Sequence, residues 1–399
     1  MKKFIYFYSV FLLIPIFVVS CNKSSQIESE GIQINGVVNN IESDSLYLYD
    51  VYSEHYGYLT PLASFPLDEN KQFTYSNDTI RSKLYFISTN GQQIPGLLDQ
   101  NGSYIFLTNG RNEIVLTQIE PGVITGEVTN SLIDAQYRAY KEKAYTLGNR
   151  HVLDSLDAEF YAARDKGDTT EMARIKEESG PYYDEAMANM DEWIKSQLND
   201  NKYELFDLYL YYSKVFQITT YNSIEDISAV REELKKYNEE AQASAYRVLI
   251  EESLKLQEKS AIGIEAPDVI GENPEGESIH LNDYRGKYVL MDFWGSGCTW
   301  CRAENPYLSK TYNKFKENDF TILGISTDVD KDAWLNAIKE DHATWDHIIL
   351  DKEHKSKILS EYNIIGIPQI ILIDKEGKIL AKGLRGDDIY ETVAEYVSE

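Results

Sequence analysis

The chain has 399 residues, 43% of them hydrophobic, and a formal net charge of −26. That length fits two or three domains with apolar cores. So large an acidic excess excludes nucleic acid, whose phosphates need basic patches, and docking on anionic lipid through a charged face.

Lys2 and Lys3 precede an apolar run from Phe4 to Val19. The run falls short of the ~20 apolar residues of a spanning helix, so residues 1–20 read as a signal peptide. It ends in Val18-Val19-Ser20-Cys21, which resembles the lipobox of bacterial lipoproteins. That resemblance implies that Cys21 is acylated on its thiol and becomes the new N-terminus, holding the chain to a lipid bilayer. Multiple acyl chains anchor stably where one binds marginally. Residues 21–30 form a polar tether. The folded part is then expected outside the cytoplasm, facing the periplasm, in an oxidising compartment.

Residues 31–128 read as a β domain. Short runs at 31–38, 45–49, 72–75, 83–87, 103–107 and 113–117 are rich in β-branched and aromatic residues. Turn signals such as Asn77-Asp78, Asn90-Gly91 and Asn101-Gly102 separate them. This spacing suggests an antiparallel β-sandwich or barrel. No catalytic constellation stands out in it.

Residues 129–260 switch to helical spacing and read as a helical connector packed on one or both neighbours. Ser131 and Asp134 resemble a capping box, and Ile133, Tyr137, Tyr140 and Ala144 follow at three- and four-residue steps. Gly180-Pro181 is expected to break the run. Further helices are expected at 182–198, 203–216, 224–236 and 239–258. The Tyr and Leu stripe from Leu205 to Tyr212 reads as core rather than as a ligand box.

From residue 261 to 399 the pattern is α/β. Tyr288 to Trp294 is a nearly continuous apolar strand, as the centre of a parallel sheet requires. A helix at 299–317, a strand at 320–326, a helix at 331–340, a strand at 347–350 and a helix at 354–362 follow. Strands at 369–374 and 378–383 flank the turn Asp374-Lys-Glu-Gly377, and a last helix covers 387–397.

The chain has three cysteines, too few for a disulfide framework: Cys21 stands apart, and Cys298 and Cys301 form a single C-x-x-C. Met291-Asp-Phe-Trp-Gly-Ser-Gly-Cys298-Thr-Trp-Cys301 places this pair where a buried strand passes into a helix. Cys298 falls at the helix N-terminus, with Cys301 one turn on. Unpaired N–H groups and the positive end of the helix dipole stabilise a thiolate there, which makes the first thiol nucleophilic. It would attack a substrate disulfide, and Cys301 would then resolve the mixed disulfide. Competing readings are poor. A c-type haem site needs a histidine where Arg302 stands, and a structural zinc needs further soft ligands among six scattered histidines. No metal or organic cofactor is called for.

These residues resemble thioredoxin-like proteins, and more narrowly the TlpA/ResA family of exported thiol–disulfide oxidoreductases. Besides the dithiol, the resemblance rests on Gly263-Ile-Glu-Ala-Pro267, Leu281-Asn-Asp-Tyr-Arg-Gly-Lys287, Asp292-Phe-Trp294, Cys301-Arg-Ala-Glu304-Asn-Pro306, Gly366-Ile-Pro368 and Leu372-Ile-Asp374-Lys-Glu-Gly377. It implies a cis-proline at Pro368 facing the dithiol, so that Ile367, Pro368 and Trp300 meet the substrate. It implies an acidic residue near the dithiol at Glu304, able to take a proton from Cys301. Asp292, an acid within an apolar strand, matches thioredoxin's buried aspartate, and either carboxyl suits the proton relay. Partners implied are exported proteins with disulfides and a membrane thiol-electron donor. Candidate substrates are apocytochrome haem sites, other oxidoreductases and nutrient-uptake proteins. Two positions depart from the family: Gly297 stands where tryptophan is usual, and Thr299-Trp300 lacks the proline common before the second cysteine. The expected function is a membrane-anchored disulfide reductase. The alternatives are a thiol peroxidase, although the peroxidatic P-x-x-x-T-x-x-C arrangement is missing, and a redox-regulated binding module working through the β region.

Overall fold

The computed structural model describes residues 31–52, 58–92, 94–95 and 101–397. The signal peptide, Cys21 and the tether lie outside the described residues.

The first unit contains β1 (Ile32–Asn39), β2 (Ser45–Asp50), β3 (Tyr58–Leu59), β4 (Pro61–Pro66), β5 (Gln72–Asn77), β6 (Lys83–Ser88), β7 (Ile94–Pro95), β8 (Gly102–Leu107), β9 (Gly110–Glu120) and β10 (Val123–Val128). They form two four-stranded sheets, ordered β10-β9-β1-β5 and β4-β2-β6-β8, and a small β3–β7 pair. Alternate side chains of both larger sheets, among them Ile32, Ile34, Leu46, Leu48, Phe65, Phe73, Ile105 and Ile114, share one apolar cluster. Period-two burial of this kind explains why the strands were legible as strands. β6 is buried on both faces because Tyr85 and Ile87 enter that cluster, whereas Leu84 enters the helical core. Neither sheet closes into a barrel, and the expectation of purely antiparallel pairing is corrected: β1 and β9 run parallel, from Ile32 opposite Gly110 to Asn39 opposite Thr117. The chain builds all four strands of the second sheet before β9 returns beside β1, and so long a crossover permits parallel pairing.

The helical unit comprises α1 (Leu132–Leu147), α2 (Arg150–Lys166), α3 (Thr169–Asn199), α4 (Leu205–Lys214), α5 (Ile224–Leu234), α6 (Glu239–Ala243) and α7 (Ala245–Glu258). Ser131 caps α1, its hydroxyl accepting from the Asp134 N–H at 3.2 Å. The Asp134 carboxylate in turn accepts from the buried N–H groups of Phe106 (2.9 Å) and Val128 (3.0 Å), tying the first helix to the ends of β8 and β10. Asp134→Ala strands both donors. It should destabilise the chain by about 3 kcal/mol in urea unfolding and expose these two amides to hydrogen exchange.

Two helix boundaries differ from expectation. α3 runs unbroken through Gly180-Pro181. An interior proline costs about 3 kcal/mol, but α3 lies along α2, burying Ile175 against Leu153, Leu156 and Ala163. Tyr183 also donates to Asp157 at 2.6 Å just past the proline. The expected 239–258 helix splits at Ser244, where the chain turns so that the Ala245 N–H can donate to the Ser82 carbonyl. The stripe in α4 is core: Leu205, Phe206, Leu208, Tyr209, Leu210 and Tyr212 are all buried.

The third unit contains β11 (Ile270–Glu272), β12 (Ser278–His280), β13 (Tyr288–Trp294), α8 (Thr299–Phe315), β14 (Phe320–Ser326), α9 (Lys331–Glu340), β15 (Asp346–Ile349), α10 (Lys352–Glu361), β16 (Gln369–Ile373), β17 (Ile379–Lys382) and α11 (Asp387–Val397). One sheet runs β12-β11-β15-β14-β13-β16-β17, with β13 parallel to β14 and antiparallel to β16. β13 sits inside, so both of its faces are covered. Val289, Met291 and Phe293 meet Ile358 of α10, while Leu290 meets Leu308 of α8 and Ile389 and Val393 of α11.

Candidate active site

The site begins where β13 stops. Gly295 leaves room for a neighbour: a Cβ there would come within 3.2 Å of Ile367 Cδ1. Ser296 fixes the turn, its N–H and hydroxyl donating to the two oxygens of Asp328 at 2.8 and 2.9 Å. Cys298 then takes the N-cap of α8 with extended backbone, and its sulfur accepts from the Cys301 N–H at 3.1 Å. The first sulfur therefore sits on unpaired N–H groups at the positive end of the helix.

Cys298 and Cys301 are joined as a disulfide. They are not equivalent: Cys298 is half-buried, whereas Cys301 is 3% exposed, covered by Trp294 and Trp334. An incoming disulfide can reach the first sulfur only. Ile367 brings its carbonyl oxygen to 3.8 Å from Cys298 Sγ, and the Ile367–Pro368 bond is cis. Trp300 projects from the motif at 79% exposure, and Ile365 and Val329 are also exposed on neighbouring loops.

Two acids flank the motif, Asp292 in β13 and Glu304 in α8. Asp292 is buried in β13 between Gly324 and Ile370, and its Oδ1 has no hydrogen-bond partner among the described residues. Burial raises its pKa to about 7; Arg385 pulls it down and Glu304 pushes it up. Glu304 is half-buried and accepts from the Gly386 N–H at 2.8 Å. Sequence reasoning missed Arg385, whose guanidinium donates to the carbonyls of Leu384 and Pro368. It thus joins the cis-proline loop to the acidic pair. No local motif marks it, because it follows β17, far along the chain from Asp292. Asp328 was missed for the same reason.

His347 was also overlooked. It is buried beside Trp294 and Trp345, over the open surface of Gly324, and neither ring nitrogen has a partner among the described residues. Burial holds its pKa down, at about 4. The neutral ring stabilises the fold above the unfolded value of ~6.5, and that contribution is lost as pH falls towards 4. His347→Phe should therefore gain about 3 kcal/mol on the parent between pH 7 and pH 4 in urea unfolding. Among the described residues no group of three or more His, Cys, Asp or Glu side chains converges as a metal site.

A model of the AhpC/TSA family matches residues 262–382. The thiol-disulfide oxidoreductase ResA of Bacillus thuringiensis subsp. konkukian is 34% identical over 143 residues, which cover 36% of this chain and 80% of that protein. The chain belongs to the ResA family of thiol-disulfide oxidoreductases. ResA of Bacillus subtilis is 31% identical over 124 residues, 31% of this chain and 68% of the relative. Among solved structures, the thioredoxin domain of a thiol-disulfide oxidoreductase from Bacteroides vulgatus is 52% identical. It covers 34% of this chain and 98% of its own, with a TM-score of 0.34. The family model and the two ResA relatives place the enzymatic unit of this chain in its thioredoxin-like C-terminal third, and disulfide-containing proteins are the substrates the family implies.

Proposed function

We propose that this ResA-family chain is exported, held to a membrane through acylated Cys21, and reduces disulfides of proteins outside the cytoplasm. The observation that carries the reading is the inequality of the two sulfurs, one reachable on a helix N-terminus and one covered behind it. The Cys298 thiolate attacks a client disulfide. One client sulfur leaves as a thiolate, and the other is joined to Cys298. The Cys301 thiol then loses its proton, attacks Cys298 Sγ and releases the second client thiolate. Two electrons have passed to the client, and the dithiol has become the Cys298–Cys301 disulfide. Asp292, with its pKa near neutral, suits the role of accepting the Cys301 proton, and Glu304 sets its charge environment. The Ile367 carbonyl and cis-Pro368 offer backbone against which a client strand can lie, flanked by exposed Trp300. A membrane thiol donor returns the electrons; no metal or organic cofactor takes part.

Trapping tests this directly. Full-length Cys301→Ser expressed in its host should hold clients as mixed disulfides that a reductant dissolves. The double variant lacking Cys298 as well should hold none. Equal capture by the double variant would overturn the reading. The AhpC/TSA match favours one rival, a thiol peroxidase. It predicts peroxide consumption that depends on Cys298 and outpaces disulfide exchange; a disulfide reductase should show none above the background of free thiol.

A further inference from the structure

We propose that the cleft between the β unit and the helices binds a small organic anion with a flat aromatic body. The cleft has a volume of about 630 Å³, within the ~300–1,000 Å³ range of ligand pockets, and it lies at a junction of units, where such pockets concentrate. Its walls are tyrosine rings: Tyr52 from beyond β2, Tyr137 from α1, and Tyr209 and Tyr212 from α4. The stripe on α4 is thus core and wall at once. Rings in this arrangement offer faces and edges against which a flat apolar body packs.

The charged groups that line it are both cations, joined by tyrosine and Ser213 hydroxyls and the Gln217 amide, which can each donate. Lys141 and Lys214 stand at the rim, and the Lys141 ammonium lies 5.9 Å from the centre of the Tyr104 ring. In a chain of net charge −26, neither lysine has a carboxylate partner among the described residues, and no acidic residue lines the cleft among them. The Tyr137 hydroxyl likewise has no hydrogen-bond partner among the described residues. Surrounding protein lowers the Lys141 pKa by desolvation, a penalty that an incoming carboxylate offsets. Electropositive donors above aromatic walls select an aromatic carboxylate over a neutral sugar or a metal. Nothing in the dithiol chemistry requires this site, so it stands or falls independently of the proposed reductase role.

Calorimetry on the full chain decides it, with 2-naphthoate as probe, 2-naphthamide as its uncharged twin and acetate as the bare anion. The expected result is saturable binding of naphthoate, about tenfold weaker binding of the amide, and none of acetate. Lys141→Met and Tyr137→Phe should each weaken naphthoate by about tenfold while reduction of a model disulfide is unchanged. Tyr137→Phe keeps the buried ring, so a folding defect in the other variant does not obscure the outcome. Equal affinity for acid and amide, indifference to both substitutions, or no naphthoate binding would each overturn the proposal.

Discussion

Cys298→Ser is expected to slow reduction of a protein disulfide by about a thousandfold or more, because the group that forms the covalent intermediate is gone. A serine hydroxyl stays protonated at neutral pH and forms no bond with a client sulfur. The substitution is nevertheless mild for the fold. The Cys298 sulfur accepts from the Cys301 N–H, and a serine oxygen at an N-cap does the same. The reduced variant should therefore unfold within about 1 kcal/mol of the reduced parent. Cys301→Ser behaves differently: the first half-reaction survives and the second stops, so one client thiol is released per chain and turnover ceases. Stopped-flow measurement of released thiol, with single and multiple turnover compared, separates the two variants.

At Asp292 the expected result is a stabilisation that depends on pH. In the folded protein the carboxyl titrates at about 7, against ~3.9 in an unfolded chain. A carboxyl with a raised folded pKa favours the fold while both states are protonated, and the advantage is lost as pH rises from about 4 to 7. Three units at ~1.36 kcal/mol each amount to roughly 4 kcal/mol at pH 8. Asp292→Asn carries no charge to desolvate. It should be more stable than the parent by up to roughly that amount at pH 8 and nearly equal to it at pH 3. The same variant should resolve mixed disulfides more slowly, and its rate should lose the inflection near neutral pH that proton transfer to the carboxyl confers. Urea unfolding at the two pH values and single-turnover rates across the range check both halves. Equal stability at pH 8 would show that the carboxylate is solvated or paired after all.

His347 and Asp292 have opposite signs on one sheet. Gly324 stands between them, paired with Asp292 on one side and His347 on the other. Between pH 4 and 6.5 the loss from one offsets the gain from the other, and the parent should show a flat profile there. Either single substitution should tilt it.

This polar row also shows where sequence reading ends. The β13–α8 junction was legible because a strand buried on both faces has a continuous apolar signature, and because a C-x-x-C at a helix start has a direct physical purpose. Asp292 stood out as an acid inside an apolar run. Arg385, Asp328 and His347 did not, since each acquires its meaning from a neighbour that the sheet brings alongside it. The same reason hid the parallel β1–β9 pairing: alternation fixes which face a strand buries, not which way its neighbour runs. β11 and β12 have three residues each, too few to show a period. At Pro181 local propensity pointed to a break, and packing along α2 overrode it.

The exchange mechanism depends above all on Cys298 being the sulfur that attacks. The most direct measurement reduces the full chain, pulses it briefly with limiting iodoacetamide at pH 7 and maps the label by mass spectrometry. The predicted result is label on Cys298 in large excess, with Cys301 protected beneath Trp294 and Trp334. Label shared equally between the two positions, or found first on Cys301, would contradict it.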